Sequence, residues 1–169
     1  MILTFLVTAF MAGCSSKPPA KPAAPASSPT VVRTTKSKPA AVSLSSIEAS
    51  ILQEVNRHRA SKGLSPLVAN SILDTEASLH SQQMASGQVS FGHSGYEARM
   101  ARIDKRMGGA GANAENVAYG KMTAREVVQS WLKSPPHKKN IEGPYHSSGI
   151  GISRNSKGVI YFTQIFTQK

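Results

Sequence analysis

The chain has 169 residues, with 20 Lys and Arg against 9 Asp and Glu, so its formal net charge is +11. This length suits one compact domain with additional segments, and the charge favours an anionic partner such as nucleic acid, an anionic membrane or a cell-wall polymer. The single Cys excludes an internal disulfide, so packing must hold the fold together.

Residues 1–13 form an apolar run that ends in small residues immediately before Cys14. A bilayer span takes about 20 apolar residues, so this shorter run is typical of a secretory signal. The ending Met11-Ala12-Gly13-Cys14 resembles a bacterial lipobox, which implies that Cys14 is lipidated and becomes the mature N-terminus. The alternative is a buried hydrophobic Cys in an ordinary secreted protein. Ser15 resembles an outer-membrane sorting signal of diderm bacteria, so we expect a lipoprotein anchored in the cell envelope, outside the cytoplasm.

The segment that follows the Cys is predicted to be a flexible tether. Residues 15–45 contain six of the ten prolines and five basic residues but no acidic ones, and they have too little apolar surface to fold. We therefore predict three parts: a lipoprotein signal peptide at 1–13, the lipidated Cys and disordered tether at 14–45, and one domain at 46–169. The domain has 15 basic and 9 acidic residues, so its charge is +6.

Hydrophobic periodicity and capping residues predict four helices and two strands in the domain. Ser45-Ser46-Ile47-Glu48 and Thr123-Ala124-Arg125-Glu126 match the capping-box pattern, so each begins a helix. The prolines of Ser134-Pro135-Pro136 end the later of these two helices. The predicted helices cover about 45–59, 71–85, 95–106 and 123–133, and the predicted strands cover 149–152 and 159–166.

The order of these elements indicates the fold class. Turn residues at 153–158 predict that the two strands form a hairpin, and helices followed by strands predict an α+β fold with helices packed on an antiparallel sheet. Asn113–Gly120, which reads NAENVAYG, is typical of a short buried segment except for Glu115. A lone carboxylate in such a segment requires partners, because burying an unpaired charge is costly.

Four polar residues at element boundaries are candidates for a functional site: His93, Glu115, His137 and His146. Two imidazoles and a carboxylate can bind zinc with an open position, or they can share protons. No short metal motif such as HExxH is present, and the alternative is that each His forms a hydrogen bond at a turn. His80 lies on the apolar stripe of the second helix and is interpreted as a core histidine.

Several motifs spread from Ile51 to Phe166 together resemble the CAP superfamily, which comprises cysteine-rich secretory proteins, antigen 5 and plant pathogenesis-related proteins. The resemblance is to its bacterial, disulfide-free branch. The order and number of the motifs together carry this resemblance. They are Asn56-Arg57-His58-Arg59, Gly63-Leu64-Ser65-Pro66-Leu67, Phe91-Gly92-His93-Ser94, Ala114-Glu115-Asn116-Val117-Ala118-Tyr119-Gly120, Ser134-Pro135-Pro136-His137-Lys138-Lys139-Asn140-Ile141 and Tyr161-Phe162-Thr163-Gln164.

The resemblance implies a three-layer α-β-α sandwich with a small antiparallel sheet and a cleft that can hold a divalent metal such as zinc. His93 matches the first His of the family's two-His, two-Glu cleft, and Glu115 matches its first Glu. The second Glu and the second His are replaced by Ser134 and Tyr161. Since His137 is typical of the bacterial branch, the resemblance implies a site of His93, Glu115 and His137, as catalytic residues and metal ligands. The residues expected to line the cleft are Tyr161, Gln164 and Ser134.

Three functions are compatible with these features. The first is a CAP-domain lipoprotein, anchored to the membrane through Cys14, that binds a lipid, a glycan such as peptidoglycan, or an envelope protein in the His/Glu cleft. The second is a metal-assisted hydrolase of envelope peptide or peptidoglycan, with an imidazole as base. The third is a structural His–Glu cluster without a ligand. Nucleic acid is not expected as a partner, because the secretion signal places the chain outside the cytoplasm.

Overall fold

The computed structural model describes residues 43–169. The predicted signal peptide, the lipidation of Cys14 and nearly all of the predicted tether lie outside the described residues. Five helices and four strands follow one another within the described part. They are α1 (Leu44–Ser61), β1 (Val68–Ala69), α2 (Ser71–Ser86), α3 (Tyr96–Met107), β2 (Asn113–Gly120), α4 (Ala124–Lys133), α5 (Pro135–Ile141), β3 (Ser147–Arg154) and β4 (Ile160–Thr167).

The four strands form one mixed sheet in the order β1-β3-β4-β2. β4 pairs antiparallel with both β2 and β3, which confirms the predicted hairpin, whereas the two-residue strand β1 pairs parallel with β3. The prediction was an antiparallel sheet, whereas the parallel pairing of β1 makes the sheet mixed. The segment NAENVAYG is the edge strand β2, in which Glu115 lies opposite Ile165 of β4.

Helices cover both faces of the sheet, which confirms the expected α-β-α sandwich. On one face, α1 and α4 pack on β3 and β4 around Val55, Trp131, Ile152 and Phe162. On the other face, α2 and α3 pack against Ile165. α2 lies directly on the backbone of β3, because a Cβ at Gly151 would come within 2.0 Å of the Ser78 amide nitrogen.

The start of α1 differs from the prediction for an identifiable reason, whereas the start of α4 agrees with it. α1 begins two residues before the predicted domain boundary, because Ser43 caps it by accepting a hydrogen bond from the Ser46 amide at 3.2 Å. The predicted capping box fails because the Glu48 carboxylate instead accepts a hydrogen bond from the Ile152 amide of β3 at 3.1 Å. The capping box at Thr123 is confirmed, since Thr123 and Glu126 bond each other's backbone amides.

The two prolines after α4 have a second role that the sequence analysis missed. α4 does end at Lys133, as predicted, but Pro135 is the first residue of α5. Proline suits this position because its fixed φ is helical and the first amides of a helix have no intrahelical partner. α5 thereby carries His137 and Asn140 to the edge of β2. No helix within residues 43–169 is long and apolar enough to cross a membrane.

Candidate functional site

Glu115 is held by a buried ion pair with Arg99. The side chain of Glu115 points from β2 toward α3, and the two side chains are 1% and 3% exposed. Arg99 Nε donates to Glu115 Oε2 and Arg99 Nη2 donates to Glu115 Oε1, both at 2.8 Å. Such two-point pairing satisfies most of the lone pairs of a desolvated carboxylate. Arg99 is therefore the partner that the lone carboxylate in NAENVAYG required.

His93 is the second partner of this carboxylate. Its Nδ1 lies 2.9 Å from Glu115 Oε1, and half of its side chain is exposed. Because the carboxylate accepts, Nδ1 carries the hydrogen, and Nε2 is the ring nitrogen left to meet a ligand or solvent. Arg99 Nη1 also donates to the Ser94 carbonyl at 3.3 Å, so one guanidinium fixes both the carboxylate and the loop that carries His93.

His80 contacts the same loop from the interior of the domain. It is fully buried in α2, its Nε2 donates to the Gly92 carbonyl at 2.8 Å, and Nε2 lies 3.9 Å from Glu115 Oε1. Burial lowers the pKa of His80, which favours the neutral imidazole. Its Nδ1 is buried and has no hydrogen-bond partner within residues 43–169. The interpretation of His80 as a core residue agrees with its burial, yet its contact with Gly92 places it underneath the site.

An open groove of about 370 Å³ adjoins this cluster. We call it the His93 groove. Tyr96 donates a hydrogen bond to Asn113 across its floor, and Asn140 Nδ2 donates to the Glu115 carbonyl at 3.3 Å and to Asn116 Oδ1 at 2.9 Å. Apart from Ala114, the groove is lined by polar and ionisable side chains: His93, Tyr96, Asn113, Glu115 and Asn140.

His137 lies near His93 but does not contact Glu115. It is half-buried in the first turn of α5, where its carbonyl accepts a hydrogen bond from Asn116 Nδ2 at 3.1 Å. Burial, and to a lesser extent the charge of His93, lower the pKa of His137. With Ser134 it lines a second hollow, beside Tyr119 and Trp131. The structure therefore brings His93 and Glu115 into contact and leaves His137 as a neighbour.

Two of the expected cleft residues lie away from the groove. Tyr161 stands opposite Tyr119 in the β2–β4 pairing and stacks on it, with ring centroids 5.8 Å apart. Tyr119 is four residues from Glu115, which is about 13 Å along a strand. Gln164 neighbours Ile165, the partner of Glu115, so its side chain points to the opposite face, where it is fully buried and donates to Ser148 Oγ at 3.0 Å. His146, the fourth candidate, is exposed and bonds the Gln168 carbonyl at 2.6 Å.

The residues at this site do not fit a divalent metal. Both oxygens of Glu115 are bonded by the Arg99 guanidinium, a cation that would compete with and repel a metal. Throughout the described part of the chain, no three His, Cys, Asp or Glu side chains come together in a group that could hold a metal ion. The metal set of His93, Glu115 and His137 that the resemblance implied is therefore not assembled.

The sequence analysis missed Arg99, Tyr96 and Asn140. A signal for Arg99 was present, because it lies in the helical stripe with Tyr96, Met100 and Ile103, all on one face of α3. An arginine on a buried stripe and a carboxylate in a buried strand each need an opposite charge. The role of Asn140 gave no such signal, because its helix α5 was not predicted.

The chain belongs to the Cysteine-rich secretory protein (CAP) family, whose sequence model matches residues 52–166. It is 33% identical over 137 residues to the uncharacterized protein YkwD of Bacillus subtilis, covering 80% of this chain and 52% of that protein. This chain thus spans about half the length of that relative.

Two solved structures show the same fold. A cysteine-rich secretory protein from Staphylococcus aureus is 28% identical, with a TM-score of 0.61, and the match covers 72% of this chain and 38% of that one. An outer surface protein from Borrelia burgdorferi is 20% identical, with a TM-score of 0.60, and the match covers 70% of this chain and 90% of that one. At that identity the second likeness shows the fold alone.

Proposed function

We propose that this protein is an envelope-anchored binding module that holds a polar ligand in the His93 groove. The observation that carries the proposal is the state of Glu115. Its carboxylate is 1% exposed and bonded to both Arg99 and His93. A carboxylate so engaged orients its neighbours and is poorly placed to take a proton from a substrate. It presents the half-exposed His93 in one fixed orientation, which favours recognition.

The shape and lining of the groove favour a polar ligand over an acyl chain. The groove is open, and its wall consists largely of imidazole, phenol, amide and carboxylate groups. Sites that enclose a small apolar molecule are instead closed and lined mainly by hydrophobic side chains. A saccharide or peptide fragment of the cell envelope offers the hydrogen-bonding groups that such a wall can satisfy.

The proposed location rests on the N-terminal sequence. The apolar run before Cys14 is typical of export, and the lipobox-like ending supports attachment through a lipid on Cys14. A location outside the cytoplasm is consistent with the Staphylococcus structure, which is described as a secretory protein.

The binding proposal is tested by calorimetric titration of the full chain with muropeptides, the soluble fragments released from peptidoglycan by a muramidase. We expect saturable binding that His93→Ala weakens at least tenfold. His93→Gln, which keeps a polar group near the Nε2 position, should retain part of the affinity. His146→Ala removes an exposed imidazole outside the groove and serves as the control. No binding, or equal binding by the His93→Ala variant, would overturn the proposal.

One observation favours a second candidate, a metal-independent hydrolase. A carboxylate that accepts from Nδ1 and leaves Nε2 free is the arrangement that orients a histidine as general base. Mass spectrometry of the muropeptides after incubation separates the candidates: a binding module returns them unchanged, whereas a hydrolase yields cleaved products that disappear with His93→Ala. A third outcome, in which His93→Ala lowers only the melting temperature, would favour a structural cluster.

A further inference from the structure

Three aromatic rings, of which Phe91 and Tyr119 are exposed, form a row near the far end of β2. Phe91 and Tyr119 have ring centroids 4.7 Å apart, and Tyr119 stacks on Tyr161 with 5.8 Å between centroids. Phe91 is 47% exposed and Tyr119 is 56% exposed. We call these three residues the aromatic row. Large aromatic side chains that lie together on a surface, and are not needed to fill the core, indicate a contact surface.

Helix α2 does not cover the aromatic row, because it packs over β3. α2 packs over β3, with Leu73 against Gly149 and Ser78 against Gly151. β2 is the edge strand on the other side of β4, so α2 does not cover the ring of Tyr119. Tyr119 lies about 13 Å along β2 from Glu115, at about 3.3 Å per residue. Phe91 lies two residues before His93, but none of the three rings lines the His93 groove.

Three cations gather beside the row, around the turn that joins β3 and β4. Arg154 Nη1 lies 3.5 Å from the Gly158 carbonyl, and Lys121 Cε lies 3.9 Å from the position that a Cβ on Gly158 would take. Lys157 is part of the same turn. The turn lies at the end of the sheet next to the row, because Ile160, the first residue of β4, precedes Tyr161. Arg154 lies opposite Ile160, so its side chain leaves the sheet on the face opposite the Tyr119–Tyr161 pair. We call Lys121, Arg154 and Lys157 the cationic turn.

The cationic turn has unsatisfied positive charge. None of its three residues has a carboxylate within 4.0 Å among residues 43–169, whereas Arg57, Arg99, Arg102, Arg106 and Arg125 all do. Because no carboxylate lies that close, the turn presents a positive field next to exposed rings. An anionic ligand with flat, partly apolar units complements both features.

We propose that the aromatic row and the cationic turn together bind an acidic polysaccharide, in which sugar rings carry carboxylates. The C–H faces of the sugars lie on Tyr119 and Phe91. Where the polysaccharide passes the end of the sheet, its carboxylates pair with Lys121, Lys157 and Arg154. The positive charge of the turn favours an acidic polysaccharide over a neutral glycan. The aromatic rings of the row favour it over a polyanion that has no sugar rings. The inference deepens the proposed binding function by adding a second ligand surface, but it uses residues outside the His93 groove.

The test is a calorimetric titration of the full chain at low ionic strength with polygalacturonate, dextran, poly-L-glutamate and single-stranded DNA. We expect polygalacturonate to bind at least tenfold more tightly than dextran, which lacks charge, and than poly-L-glutamate, which lacks rings. Phe91→Ala and Tyr119→Ala should each weaken polygalacturonate binding several-fold, and the triple variant Lys121→Ala/Lys157→Ala/Arg154→Ala should weaken it at least tenfold.

Matched controls separate this site from general positive charge. Leu79→Ala removes an exposed apolar side chain elsewhere, and Lys62→Ala/Lys105→Ala/Lys139→Ala removes three cations that also have no carboxylate within 4.0 Å in the described part. Both should leave affinity within twofold of the parent. The proposal is overturned if poly-L-glutamate or DNA binds as tightly as polygalacturonate, if the control triple variant loses as much affinity, or if the aromatic variants lose none.

The outcome is independent of the test of the proposed function. His93→Ala should leave polygalacturonate binding unchanged, and Tyr119→Ala should leave the His93 nitrogen in place for muropeptides. If the parent protein binds polygalacturonate but not muropeptides, the result counts against the His93 groove only. If it binds muropeptides but not polygalacturonate, the result counts against the aromatic row and cationic turn only.

Discussion

Arg99 and Glu115 show how one residue pair sets the character of a site. Each charge is desolvated and each satisfies the other, so neither is free for other chemistry. Removing one partner leaves the other as an unpaired buried charge, which is far more costly than losing an exposed ion pair. Because Glu115→Gln preserves the shape of the side chain but removes its charge, we expect its first effect to be a loss of stability.

This pair predicts a large coupling in a double-mutant cycle. Glu115→Gln and Arg99→Met should each lower the free energy of unfolding by about 3–5 kcal/mol, because each strands a buried charge. The double variant strands neither, so its loss should be smaller than the sum of the single losses by about 1–3 kcal/mol. Urea denaturation measures all four free energies. The exposed pair Arg57 and Glu54 is the control and should show no coupling beyond error. Additive losses at Arg99 and Glu115 would contradict the buried ion pair.

His137 provides a test of the electrostatics between the two histidines of the site. Burial is the main cause of its lowered pKa, and the charge of His93 lowers that pKa further. In the His93→Asn variant the pKa of His137 should therefore rise but remain below its ordinary value of 6.5. An NMR titration of the imidazole resonances measures it directly. His146→Asn, which changes a histidine outside the groove, should leave the His137 titration unchanged, and a fall in the pKa after removal of His93 would contradict the proximity.

At the scale of elements, side chains protect both edges of the sheet. Beyond the two residues that pair with β1, the outer side of β3 is open. There the Asp74 side chain accepts a hydrogen bond from the Ile150 amide at 2.9 Å, and the Glu48 side chain accepts one from the Ile152 amide. On the β2 edge, the Trp131 indole donates to the Val117 carbonyl at 3.2 Å. Asn140 bonds the Glu115 carbonyl beside it. Backbone groups that would otherwise invite pairing with another chain are thus occupied. The same bonds fix the position of β2, and with it Glu115.

The contact between α2 and β3 depends on glycine, and this gives an element-scale prediction. In Gly151→Ala the added methyl group would lie 2.0 Å from the Ser78 nitrogen, so α2 would have to move off the sheet. We expect a loss of more than about 3 kcal/mol in the free energy of unfolding, at the upper end of the cost of overpacking. Near-UV circular dichroism and urea denaturation measure it. Ser153→Ala, on the same strand, should change stability by less than about 0.5 kcal/mol.

The helices were easier to predict than the sheet, for physical reasons. α2, α3 and α4 have caps and apolar stripes that are local in sequence, so their bounds were predicted within about two residues. β1 has two residues, which is too short for any periodicity, and its parallel partner lies 79 residues away, at Ser147. Local patterns carry no information about such a pairing. Glu115 and His93 were predicted as site residues. The pairing of Arg99 with Glu115 was not predicted, because it depends on how α3 packs against β2.

At the scale of the whole molecule, the distribution of charge bears on the proposed location of the domain. The basic residues are split between the predicted tether, with five, and residues 46–169, with 15 against 9 acidic ones. All nine side-chain carboxylates of the chain lie within residues 46–169, and several of them form internal contacts, including those of Glu76, Glu115, Glu126 and Glu142. The net positive charge is therefore available to an anionic surface, which suits a module held close to an envelope.

The proposed attachment to the envelope depends on Cys14, the only thiol of the chain. If this Cys is lipidated, acyl chains contribute membrane affinity at about 0.8 kcal/mol per buried CH₂ group, and two or more chains are needed for stable anchoring. Cys14→Ser should therefore move the protein from the detergent phase to the aqueous phase of a Triton X-114 partition and abolish labelling by radioactive palmitate in bacterial cells. Ser16→Ala keeps the thiol and should change neither result. A Cys14→Ser protein that still enters the detergent phase would mean that attachment does not act through this residue.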